Sequence, residues 1–92
     1  MPALYGFAYA DAALKYLETV PPAKIRGQIR RKVGTLANNP TPPGCKKLKG
    51  VTDGDNPVYR IRSGDYRILY VIRDNPDQIV IPDIGHRKDV YR

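Results

Sequence analysis

The stretch Tyr59-Arg60-Ile61-Arg62-Ser63-Gly64-Asp65-Tyr66-Arg67-Ile68-Leu69-Tyr70 constrains what this chain can fold into more than any other. Its apolar and aromatic residues alternate with arginines, the period-2 signature of strands with two unlike faces. Ser63-Gly64-Asp65 is turn chemistry, with Gly64 free to take positive φ. The pattern predicts a β-hairpin. On its first strand Tyr59 and Ile61 share one face while Arg60 and Arg62 point the other way. On its second, Tyr66, Ile68, Tyr70 and Ile72 share a face, with Arg67, Leu69 and Val71 opposite. A sheet that devotes Arg60, Arg62 and Arg67 to one face presents planar cations to something anionic.

The remaining segments supply a layer for the apolar face. Leu4 to Ala8 reads as a short first strand. Asp11 then sits where a helix N-terminus favours negative charge, and Ala13, Leu14 and Leu17 form an apolar stripe. Pro21-Pro22 ends this helix and opens the next. From Ala23 to Asn38, Ile25, Ile29, Val33 and Leu36 lie on one helical face. Lys24, Arg26, Arg30, Arg31 and Lys32 fall between them without a single acid. Lys24, Arg30 and Arg31 lie away from the stripe, whereas Arg26 and Lys32 flank it. A solvated helix face usually mixes signs, so an all-positive one favours a polyanion over plain solvent exposure.

Asn38 to Gly44 reads as an extended, proline-rich connector, followed by the lysines of Lys46-Lys47-Leu48-Lys49-Gly50 and a polar turn region from Thr52 to Pro57. After the hairpin comes a turn at Asp74-Asn75-Pro76-Asp77. Gln78 to Arg87 is a further strand, in which Pro82 implies an edge position or a bulge. The expected architecture is α+β: a small single domain over residues 1–92, with an N-terminal strand and two helices packed on a mostly antiparallel four-stranded sheet.

Ninety-two residues suffice for one modest core. The net charge of +7 points to nucleic acid, an acidic protein or both. Cys45 is the sole cysteine and His86 the sole histidine, which sets aside disulfides and the usual zinc cages, and no metal or cofactor is expected. No apolar run approaches the roughly 20 residues that span a bilayer, and the first residues lack a basic then apolar leader pattern, so the expectation is a cytoplasmic protein without membrane contact. Glu18 is the only glutamate, and neither a P-loop nor a compelling nucleophilic triad is present.

What remains is a surplus of strand arginines. Guanidinium groups bind phosphate bidentately and keep their charge at any physiological pH. Several around one phosphodiester would stabilise the charge of a pentacoordinate transition state. RNA carries its own nucleophile, the 2′-OH, so cleavage through it needs no metal. Phosphate binding without chemistry, or docking of an acidic protein, uses the same residues.

Lys47-Leu48-Lys49-Gly50, Tyr59-Arg60-Ile61-Arg62, Gly64-Asp65-Tyr66-Arg67-Ile68-Leu69-Tyr70 and Ile84-Gly85-His86-Arg87-Lys88-Asp89-Val90-Tyr91 together resemble the RelE branch of the RelE/ParE toxin superfamily. The resemblance covers nearly the whole chain and rests on the order and spacing of these motifs. It implies a RelE-like fold and the toxin of a type II toxin–antitoxin pair. It further implies a ribosome-dependent mRNA endonuclease, or mRNA interferase, that enters the A site beside 16S rRNA and inhibits translation. Cleavage would leave a 2′,3′-cyclic phosphate. The implied partners are a cognate RelB-like or other small acidic antitoxin, the ribosome and mRNA, with operator DNA bound only by the toxin–antitoxin complex.

By position, Arg60 and Arg62 fall where RelE enzymes carry two lysines, the one matching Arg62 being assigned as general base. Arg67 matches the arginine that stabilises the transition state, Arg87 the arginine proposed as general acid, and Tyr91 a tyrosine that stacks on the substrate, although its spacing is two residues shorter here. Arg62 departs from the pattern, because a guanidinium with a pKa above 12 accepts protons poorly. His86 is the one side chain with an unperturbed pKa near neutrality and is a second candidate for proton transfer; hydrogen bonding at the sheet margin is the competing reading. Lys47 and Lys49, with Lys24, Arg30 and Arg31, are candidate RNA-backbone contacts, against a solvated surface. Tyr59, Tyr66 and Tyr70 read as packing residues before base-stacking ones. Two other functions compete: a ParE-like toxin acting on DNA gyrase, and a nonenzymatic toxin working through its antitoxin complex on operator DNA.

Overall fold

The computed structural model describes residues 5–74 and 77–86. In chain order the elements are β1 (Gly6–Tyr9), α1 (Asp11–Thr19), α2 (Ala23–Thr35), β2 (Lys46–Asp53), β3 (Asn56–Ser63), β4 (Tyr66–Arg73) and β5 (Gln78–His86). They build one mixed sheet in the order β1-β5-β4-β3-β2. Strands β2 to β5 pair antiparallel, and β1 joins β5 in parallel with Gly6 opposite Gln78 and Tyr9 opposite Ile81.

Two helices on a mostly antiparallel sheet is the expected architecture, with five strands where the sequence pattern predicted four. The additional strand is β2. Its residues were expected as a lysine segment and a polar turn region because only Leu48 and Val51 are apolar and seven of its eight positions are exposed. An edge strand without a buried face has no alternation to display, and lysines on it deter pairing with other chains. Gly50, with φ of +75°, lies where the β2–β3 register shifts between Lys47 and Thr52, so β2 is also bulged.

The core lies between one sheet face and the helices. Ala13 and Leu17 of α1, Ile29 and Val33 of α2, and Leu36 pack with Ile61, Ile68, Tyr70, Ile79, Ile81 and Ile84. Leu14, the third member of the expected α1 stripe, is only partly buried. Tyr66 and Ile72 pack at the margin of this cluster, so the second hairpin strand buries the face expected of it. Pro82 is in an interior strand, but the β4–β5 register shifts between Leu69 opposite Asp83 and Val71 opposite Val80. The proline therefore occupies a bulge, where its missing N–H breaks no ladder bond.

Arg26 joins the two helices. No basic residue stands in the last turn of α1, and Arg26 of α2 donates from Nε to the Leu17 carbonyl at 3.2 Å and from Nη2 to the Pro21 carbonyl at 3.4 Å. It supplies the cation and the donors that a helix C-terminus leaves wanting.

Candidate functional site: a cationic hairpin and the clefts beside it

The β3–β4 hairpin turns through the two residues Gly64 and Asp65, since Ser63 pairs with Tyr66. Gly64 has φ of +59°, the left-handed conformation that two-residue hairpin turns require. This turn fixes the register in which Arg62 stands directly opposite Arg67 and Arg60 opposite Leu69. Because Ile61, Ile68 and Tyr70 face the helices, alternation puts Arg60, Arg62 and Arg67 together on the other face. Like charges directly opposite on neighbouring strands destabilise a sheet, so the Arg62–Arg67 pair is an arrangement that folding alone disfavours.

Arg62 is exposed, whereas Arg60 and Arg67 are partly buried along their stems. The Nε atoms of Arg60 and Arg67 are both shielded from solvent, and that of Arg60 has no hydrogen-bond partner among the described residues. Arg62, Gly64, Asp65 and Arg67 line a small pocket of about 110 Å³ at the hairpin tip. Gly85 lies across from Arg67 on β5 and contributes no side chain.

The other expected site residues are dispersed. His86 pairs with Tyr66 across β4 and β5, its ring meeting the Tyr66 ring edge-on at 5.4 Å and 82°, and its backbone N–H donates to the Tyr16 hydroxyl at 3.1 Å. Tyr66 and Tyr16 both pack against the helix-side core, so His86 belongs to the face opposite Arg62 and Arg67. Lys47 and Lys49 are exposed on β2, on a strand and not in a loop. Lys24, Arg30 and Arg31 are exposed along α2. Arg30 lies near Tyr9, whose phenol pKa is raised by burial and partly lowered again by that guanidinium. Arg87 and Tyr91 lie outside the described residues. Among the described residues no three His, Cys, Asp or Glu side chains form a group able to hold a metal ion, and no helix is long and apolar enough to cross a membrane.

Tyr59 and Tyr70 are packing residues. Their rings stack at 5.6 Å and 26°, and the Tyr70 hydroxyl donates to the Pro40 carbonyl at 2.6 Å. Burial, with contributions from the Cys45 side chain and Tyr59, pushes the Tyr70 phenol far above its ordinary 10.0, so it remains a donor. This bond anchors the proline-rich connector to the sheet. The connector then forms one wall of a larger cleft of about 340 Å³, lined by Lys32, Pro43, Gly44, Arg60, Ile61 and Arg62. Arg62 borders both depressions. Lys32 was read from the sequence only as a flank of the α2 stripe; nothing in the local pattern shows that it reaches β3, because that proximity is set by helix–sheet packing.

A small helix-covered sheet with an arginine hairpin on its open face defines a RelE/ParE-type toxin domain. Residues 7–91 match the family model described as the ParE toxin of type II toxin–antitoxin systems, parDE. The chain belongs to this family. It is 31% identical to the toxin RelG of Mycobacterium tuberculosis, over 96% of this chain and 97% of that one. The archaeal RelE–RelB complex from Pyrococcus horikoshii superposes with a TM-score of 0.77 at 26% identity, covering 95% of this chain and 99% of that one. The RelBE2 toxin–antitoxin complex of M. tuberculosis gives a TM-score of 0.76 at 28% identity, covering 97% and 98%. The protein is thus a toxin of the RelBE type.

Proposed function

We propose that this toxin is a ribosome-dependent mRNA endonuclease that cuts in the A site by attack of the 2′-OH on the adjacent phosphorus, without a metal. The observation that carries this reading is the Arg62–Arg67 pair, two guanidinium groups held opposite each other by the hairpin register with Arg60 beside them. In the reaction the 2′-OH gives up its proton to solvent water and the 2′-oxygen forms a bond to phosphorus. The 5′-oxygen of the next nucleotide departs, taking a proton from the general acid, and a 2′,3′-cyclic phosphate remains. Arg67 and Arg62 stabilise the two negative charges that the phosphoryl oxygens bear at the transition state. Arg62 has a purely electrostatic part, because a guanidinium cannot take up the 2′-OH proton. His86 faces the core side through its contact with Tyr66, which supports a part in holding β5 over one in proton transfer. Arg87 as general acid and Tyr91 as a base-stacking residue complete the reading; both rest on their match to the family pattern.

A cognate antitoxin, RelB-like or another small acidic protein, is the proposed inhibitor. The relatives solved as RelE–RelB and RelBE2 complexes and this chain's charge of +7 support that partner. The family description supports a second reading, a ParE-like toxin directed at DNA gyrase. Primer extension on translating ribosomes separates the two. The expected result is codon-internal cuts that vanish with Arg67→Ala; absence of cuts together with gyrase-linked DNA breaks would overturn the nuclease.

A further inference from the structure

The larger cleft is not needed to hold the scissile phosphate. Arg62 and Arg67 already share the hairpin-tip pocket, and Arg62 alone reaches into both depressions. The larger cleft adds Lys32 from α2 and Arg60 from β3, and none of its lining residues is acidic. We propose that it is a second phosphate subsite, which holds the phosphodiester one nucleotide away from the scissile one between Lys32 and Arg60. This inference rests on the RNA-cleaving reading and specifies how the RNA strand lies across the hairpin.

Three observations converge on it. Arg60 and Arg62 are two residues apart on one face of β3, so their backbones are separated by roughly 6.6 Å. That spacing is commensurate with the step between neighbouring phosphates of an extended single strand. The far wall is preformed. Tyr70 holds the Pro40 carbonyl at 2.6 Å, the Cys45 N–H donates to the Pro42 carbonyl at 3.0 Å, and the Thr41 N–H donates to Asn39 Oδ1 at 3.1 Å. A wall ordered in advance need not be ordered by the ligand. Gly44 has φ of +92° and nothing within 4 Å of the place a Cβ would take, so the cleft stays open beside the cations.

Lys32 also stands in the last turn of α2, where any cation is favoured by the carbonyl end of the helix. The test therefore compares ligands that differ by one phosphate. Affinities of the full chain are measured for a 2′-O-methyl dinucleotide with its single internal phosphate, and for the same dinucleotide carrying one further phosphate at the 5′ or at the 3′ end. One of the two longer probes is expected to bind about tenfold tighter, the increment of one charge-assisted contact. Lys32→Gln should remove most of that gain and leave the single-phosphate affinity unchanged. No gain from a second phosphate at either end, equal losses for all probes in Lys32→Gln, or no measurable binding of any probe would each overturn the subsite. Ribosome cleavage assays keep the two ideas apart. A phosphate-dependent gain without any cleavage refutes the nuclease and retains the subsite, whereas cleavage without the gain refutes the subsite alone.

Discussion

At the scale of single residues, the Arg62–Arg67 pair has opposite consequences for stability and for chemistry. Two guanidinium groups directly opposed on adjacent strands cost the sheet about 0.2–1 kcal/mol relative to neutral neighbours. Arg62→Thr should accordingly raise the urea midpoint while reducing cleavage, an inverse relation that equilibrium unfolding and primer extension measure together. Position 62 also separates charge from proton transfer. Lysine there keeps a cation but has an ordinary pKa of about 10.4, so its neutral form can accept a proton. The Arg62→Lys toxin should show a cleavage rate that climbs with pH more steeply than the parent, read from single-turnover rates between neutral and mildly alkaline pH. The hairpin and the facing of its arginines were legible in the sequence because strict alternation around a glycine turn admits few other structures. The environment of His86 was legible only as a parity argument, with its ring contact to Tyr66 supplied by the fold.

Among the elements, the connector between α2 and β2 shows what local pattern cannot reveal. Its prolines mark it as irregular, but its anchoring by Tyr70 depends on a residue 30 positions away. The folded state raises the Tyr70 pKa above the unfolded value, so the stabilisation is complete below pH 10 and is lost as pH rises beyond the unfolded phenol's titration. Tyr70→Phe should lower the unfolding free energy at pH 8 by about 0.5–1.5 kcal/mol for the lost hydrogen bond, and should flatten the decline between pH 9 and pH 11. Strand β2 was missed for a related reason: its partners lie on β3 alone, and its own residues record only solvent exposure. The helices were readable from their apolar stripes, while Arg26 was taken as a flanking cation and proves to be the cap of the preceding helix.

Across the whole molecule, described cations stand on several surfaces, among them the hairpin clefts, the exposed Lys47 and Lys49 of β2 and the exposed Lys24, Arg30 and Arg31 of α2. If α2 meets rRNA backbone, Arg30→Ala combined with Arg31→Ala should reduce the slope of log affinity for ribosomes against log salt by about 1 to 2, with the cleavage pattern retained. An unchanged slope would confine RNA contact to the hairpin side. The parallel pairing of β1 with β5 has another consequence, one of timing. Tyr9 pairs with Ile81, its partner 72 positions later, so this contact closes a long stretch of chain. Such long-range closure is slow, and synthesis at roughly 5–20 residues per second delivers β5 last. A nascent chain therefore displays its arginine hairpin before the strand that locks it in place, and the toxin matures only once translation of its own message has passed β5.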